Sequence, residues 1–183
     1  MRTVDRAWVA WLGAVIVATG ARAATVSTPT AMPQRPNIVV LVADDWGFSD
    51  VGAFGGEIST PHLDELARRG VRFSNFHVAA SCSPTRSMLL TGVDHHRNGH
   101  GNLRETMPGA HLGRPGYQAS LTPDVVTVAS LLRAGGYRTS VVGKWNVGNE
   151  PHNLPPQRGF DRSFVMGDTG SDNWEPEKRY LPH

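Results

Sequence analysis

Asn37-Ile38-Val39-Val40-Leu41-Val42-Ala43, followed at once by Asp44-Asp45, is the stretch on which the fold class turns. Its side chains are aliphatic, mostly β-branched, and show no polar alternation. That pattern suits a strand buried on both faces of a parallel sheet. The run stops at two carboxylates. In open α/β sheets ligands bind outside the carboxyl ends of the strands, so Asp44 and Asp45 fall on the edge that carries function.

Outward from that run, helical and extended patterns alternate. Residues 47–56 read as a glycine-rich loop. Thr60-Pro61 begins a helix, with Thr as N-cap and Pro at the first position, and Gly70 ends it. Residues 71–78 read as a strand. Pro84 opens a short helix to Leu90, stopped by Gly92. Residues 127–134 form another helix, closed by Gly135-Gly136. Residues 137–142 and 160–165 read as further strands, the first leading into Gly143-Lys144-Trp145-Asn146-Val147-Gly148. Strands alternating with helices predict an α/β fold with a mostly parallel sheet.

The N-terminus has a different character. Arg2 and Arg6 precede an apolar run over residues 7–20, and Ala21-Arg22-Ala23 offers a small-residue cleavage site. Residues 1–23 are therefore expected to be a secretory signal peptide, the alternative being an uncleaved anchor. Residues 24–36 follow as a Pro-rich linker, and residues 37–183 carry the folded part. The whole chain has 18 basic and 16 acidic residues. Setting the signal aside removes three arginines and one aspartate and leaves the rest balanced, which argues against a nucleic-acid partner. No later run is apolar enough for a membrane, so the expected product is secreted or periplasmic.

Cys82 is the only cysteine in the 183 residues. A lone thiol in an exported chain is either buried and inert or chemically special. Its neighbours bear on the choice. A helix begins beside it, and a helix N-terminus offers free N–H groups and partial positive charge to an oxyanion. Arg86 adds a fixed cation suited to sulfate or phosphate oxygens. Adjacent Asp44 and Asp45 repel one another unless a hard divalent cation takes both or each is solvated in a turn. Lys144, on a loop after a strand, can hold an oxyanion or be solvated like most lysines. His95, His96 and His100 form a His-rich stretch. Adjacent histidines do not share one helix face, so the expectation is a supporting loop and not a zinc site.

Together these residues resemble the type I sulfatases of the alkaline-phosphatase-like superfamily, bacterial arylsulfatases above all. Cys82-x-Pro84-x-Arg86-x-x-x-x-Thr91-Gly92 matches the family's C-x-P-x-R-x-x-x-x-T-G pattern at every fixed position. Weaker matches run along most of the chain after residue 36. They include Asp44-Asp45-Trp46-Gly47, Thr60-Pro61-His62-Leu63-Asp64, Gly143-Lys144-Trp145 and Arg158-Gly159-Phe160-Asp161. The resemblance implies sulfuric-ester hydrolysis on an alkaline-phosphatase-like sheet flanked by helices, incomplete in this chain. It implies that a formylglycine-generating enzyme oxidises Cys82 to Cα-formylglycine. The hydrated aldehyde then attacks sulfur with one hydroxyl and expels sulfate by collapse of the other. It further implies that Asp44, Asp45 and modified Cys82 hold Ca²⁺ or Mg²⁺, with Arg86 and Lys144 catalytic and a small-molecule sulfate ester as substrate.

Two departures from the pattern stand out. The family's G-K-W-H-L-G has Asn146 in the histidine position here, and an amide cannot act as a base at neutral pH. Slowed or stalled turnover is therefore expected. Family members are also much longer, and their second metal pair comes from later sequence. Asp172-Asn173, followed by Trp174, is read as a substrate-side loop and not as that pair. A fragment or truncated gene product is the corresponding expectation. Two alternatives stay open: a phosphonate or phosphate-ester hydrolase of the same superfamily, and a non-catalytic truncated sulfatase.

Overall fold

The computed structural model describes residues 35–167 and 170. The expected signal peptide, most of the linker and Asp172-Asn173 lie outside the described residues. Two units divide the chain between Leu41 and Val42. Residues 35–41, in the first, have no regular secondary structure and are exposed.

In the second unit, 3₁₀ turns at Phe48–Asp50 and Gly52–Phe54 precede α1, Pro61–Arg69. Pro fits the first turn because its missing N–H is unpaired there in any helix. Thr60 turns its hydroxyl outward, accepting from the Gly52 N–H at 2.9 Å and donating to Asp64 Oδ1 at 2.8 Å. The same carboxylate accepts from the Ala53 N–H at 2.7 Å, stitching the glycine-rich loop to the start of α1.

Helix α2 spans Cys82–Thr91 and ends at Gly92, whose φ of 67° is the left-handed C-cap conformation. A glycine meets that demand at least cost, which gives the Thr91-Gly92 step a backbone reason. Helix α3 is a single turn, His95–Asn98. Helix α4 covers Val128–Ala134, with the Thr127 hydroxyl accepting from the Ser130 N–H. Strands β1, Ser140–Lys144, and β2, Arg162–Met166, pair in parallel, Ser140 opposite Arg162 and Lys144 opposite Met166.

The core lies under the loop that leaves β1. Leu121, Trp145 and Val147 are buried there, packed by Leu90, Val125, Val141, Phe160 and Val165. Trp145 meets Phe160 edge-on at 5.8 Å between ring centroids. Its indole N–H donates to the Asn153 carbonyl at 3.0 Å. Arg158 is buried, and its guanidinium donates to the carbonyls of Leu121, Thr122 and Val125 and to Asn153 Oδ1. Burial of that charge is tolerable because its donors are so widely satisfied.

The predicted helices at residues 60–70, 84–92 and 127–134 are present, within a residue or two. Two predicted strands are not. Residues 37–43 and 71–78 carry no ladder among the described residues, and Val39, Leu41, Val71 and Phe76 are 73–80% exposed. β-Propensity is a preference for a pleated, half-buried surface. Without a neighbouring strand, backbone groups gain nothing from extension over solvation. The same shortage shows on β1 and β2: Val141 and Val165 face the core, while Val142 and Phe164 are 76% and 85% exposed. One face of this two-stranded sheet is covered by described residues and the other is not.

Candidate active site

Three distant segments converge on Asp44. Its Oδ1 accepts from Arg86 Nη2 at 3.0 Å, and its Oδ2 accepts from Lys144 Nζ at 2.9 Å. Arg86 also donates from Nη1 to the Lys144 carbonyl at 2.9 Å. The end of the 37–43 run, the first half of α2 and the end of β1 are thus tied together by charge-assisted bonds, the stronger kind. The side chains of Arg86 and Lys144 are only 13% and 11% exposed, against 44% for Asp44. Partial burial by itself would raise the Asp44 pKa. The hydrogen bonds from Lys144 and then Arg86 outweigh it and hold the carboxyl below its ordinary value.

Cys82 is the first residue of α2, half-buried and reduced, with Ser81 as N-cap. The helix therefore starts two residues before Pro84. The reason is that Pro84 occupies the third position of the first turn, where its missing N–H is no loss. Arg86 stands one turn further along, so nucleophile candidate and cation leave one helix.

Residues of the following loop brace this arrangement. Asn146 adopts φ 53°, left-handed backbone that asparagine accepts more readily than most residues. It is buried, and its Oδ1 accepts from Ser83 Oγ at 2.8 Å. Gly148 has φ 113°, and a Cβ there would come within 2.8 Å of the Ser120 side chain. Backbone bonds from Trp145 N–H to Met166 O and from Asn146 N–H to Gly167 O fix the loop to the end of β2.

Asp44 and Lys144 were expected at strand ends and Arg86 on the helix beside Cys82, and the fold joins the three directly. Asp45 follows Asp44 with φ 53° and is exposed, beside the cluster and not bonded into it. Ser83 lay outside the expected site, and His100 was expected only as part of a supporting loop. Ser83 sits at a variable position of the motif, and only contact with Asn146 reveals it. His100 is 2% exposed, and neither ring nitrogen has a hydrogen-bond partner among the described residues. Burial lowers its pKa, with His95 acting the same way, while the nearby Val147 backbone and Glu150 act against.

The donor chemistry fits a hard divalent cation. Asp44 and Asp45 offer only carboxylate oxygens, and each Asp44 oxygen keeps lone-pair capacity beyond its one bond to Arg86 or Lys144. Arg86 Nε is buried and unpartnered among the described residues.

A model of the sulfatase family matches residues 36–183. An uncharacterized sulfatase of Schizosaccharomyces pombe is 44% identical over 157 residues, covering 83% of this chain and 28% of its own length. The arylsulfatase of Klebsiella aerogenes is 38% identical over 144 residues, with 79% of this chain and 31% of its own length covered. Among solved structures, Ps i-CgsB superposes with a TM-score of 0.68 at 33% identity, over 79% of this chain and 32% of that one. The chain thus spans about three tenths of the length of the proteins it matches.

Proposed function

Because this chain belongs to the sulfatase family and shares its alkaline-phosphatase-like fold, we propose that it carries the nucleophile side of a sulfuric-ester hydrolase site acting on aryl sulfates. The observation that carries this reading is the Asp44–Arg86–Lys144 cluster built around the helix that begins at Cys82. In the proposal Cys82 is oxidised to formylglycine by a formylglycine-generating enzyme, and its position at the N-terminus of α2 keeps it beside unpaired N–H donors. Lys144 and Arg86 hold oxygens of the sulfuryl group and balance the charge that builds on them. Asp44 and Asp45, with modified Cys82, hold Ca²⁺ or Mg²⁺, which when bound polarises a sulfuryl oxygen.

Asn146 limits the reaction in this reading. Its carboxamide oxygen is taken by Ser83, and an amide has no basicity to accept a proton from the nucleophile. Release of sulfate is the step it slows. Export belongs to the same proposal, with residues 1–23 as the signal and the mature protein secreted or periplasmic. No helix of the described residues is long and apolar enough to cross a membrane.

Peptide mass spectrometry across residues 79–92, after co-expression with the maturation enzyme, tests the nucleophile. Conversion of the Cys82 thiol to an aldehyde is expected, and an unmodified thiol refutes the assignment. Rates on an aryl sulfate against an aryl phosphonate then separate sulfatase from phosphonate hydrolase.

A further inference from the structure

A second cluster of donors stands apart from Asp44, Arg86 and Lys144. Asp94, His95 and His96 each present a ligand atom, and these three atoms lie within 4.8 Å of one another. The sequence argument against a metal here was that adjacent histidines diverge around a helix. That argument holds for a long helix. Helix α3 is one turn, and His95 and His96 are its first two residues. Their rings stand 4.1 Å apart between centroids, tilted by 39°.

Each donor is oriented by a contact that does not involve the other two side chains. His95 Nδ1 lies 3.1 Å from the His100 carbonyl. A carbonyl can only accept, so Nδ1 carries the proton and Nε2 keeps its lone pair. A ligating histidine typically bonds its other nitrogen in this way. His96 meets the Tyr117 ring edge-on at 5.6 Å. Asp94 Oδ1 accepts from the His96 N–H at 2.9 Å as the N-cap of α3. His96 Nδ1 and Asp94 Oδ1 are already 3.6 Å apart. Nitrogen and oxygen ligands about 2.0–2.2 Å from a tetrahedral ion stand roughly 3.4 Å from each other, so closure needs about an ångström of side-chain rotation.

We propose that Asp94, His95 and His96 form a binding site for a borderline divalent metal, Zn²⁺ or a neighbour such as Co²⁺ or Ni²⁺, completed by water. Two imidazoles and one carboxylate select that class. Ca²⁺ and Mg²⁺ take oxygen ligands and prefer the Asp44–Asp45 pair. The side chains of Asp94 and His96 are 58% and 51% exposed, which leaves the remaining coordination positions open to solvent.

Zn²⁺ titration by calorimetry into the Ca²⁺-saturated full chain tests this, with Co²⁺ visible absorption as a second readout. One Zn²⁺ per chain is expected. His95→Gln and His96→Gln should each weaken it by at least about tenfold, the scale of ligand-sphere losses. Asp94→Ser keeps a good N-cap but removes the carboxylate, and should also weaken binding. Cys82→Ala and Asp44→Asn should leave it unchanged. Circular dichroism identifies any variant that has lost its fold, and the remaining variants then decide. Absence of Zn²⁺ binding, or binding that survives both histidine changes, or binding lost with Cys82→Ala, overturns the proposal. None of these outcomes depends on whether the chain hydrolyses sulfate esters.

Discussion

Removing the Ser83 hydroxyl should loosen the loop that carries Lys144. Ser83 Oγ donates to Asn146 Oδ1 at 2.8 Å, both groups are buried, and 63 residues separate them. Ser83→Ala leaves the Asn146 oxygen buried without its partner. A single orphaned polar group of this kind costs about 1–3 kcal/mol. Asn146→Ala mixes two losses, because alanine at φ 53° also meets left-handed strain of about 1–2 kcal/mol. Asn146→Gly removes the side chain without that strain and is the cleaner partner. Each single change, Ser83→Ala or Asn146→Gly, should therefore destabilise by about 1–3 kcal/mol. For a chain of 183 residues, each kcal/mol corresponds to roughly 2–4 °C in Tm. The double variant should cost little more than either single, leaving a coupling of about 1–3 kcal/mol, the size of one single loss. Thermal and urea unfolding of the four proteins measure this. Alkylation of the unmodified Cys82 thiol adds a local readout, and it should change in both singles by the same factor and no further in the double. Additive losses within about 0.5 kcal/mol, together with unchanged alkylation, would refute the brace.

Acid should destabilise the fold through His100. Its pKa is depressed below 6.5 by burial, so the unfolded chain binds its proton more readily. The stabilising difference is complete above 6.5 and is lost as pH falls through the folded value; His100→Gln should flatten that part of a Tm-versus-pH curve. In chelator-treated protein, Lys144→Met should raise the Asp44 pKa toward its ordinary 3.8, because the Lys144 hydrogen bond that lowers it is gone, as carboxyl-carbon NMR titration would show. Trp145→Ala should cost about 3–5 kcal/mol, the scale for a buried aromatic. Phe164→Thr, at a site 85% exposed, should stay within about 0.5 kcal/mol in denaturant unfolding of this chain.

Elements with local punctuation were legible in the sequence. Pro61 at the first helical position, the Thr127 cap and Gly92 announce helix ends through local chemistry, which needs no distant partner. The parallel pair β1–β2 was also legible, since residues 140–144 and 162–166 flank a connection long enough to cross over. The runs at 37–43 and 71–78 were misjudged because a strand is defined by its neighbours, and a single sequence shows only the preference. At the site, Asp44 and Lys144 could be placed at strand ends, and Arg86 on the helix beside Cys82. Their direct contact could not, nor could Ser83, whose role exists only through a residue 63 positions away. The histidine pair was judged by helical periodicity, which does not show that the two rings stand 4.1 Å apart on a helix of four residues.

Asp44 is at present the counter-anion of both site cations. An incoming anion must therefore compete with a carboxylate that is tethered in place and never diffuses away. Whatever draws the charge of Asp44 elsewhere releases Lys144 and Arg86 together. Occupancy of the carboxylate by a cation and occupancy of the two cations by an anion are then mutually reinforcing, and by thermodynamic reciprocity each tightens the other by the same factor. Under the proposed function, such a site would resist stray anions until a cation is bound.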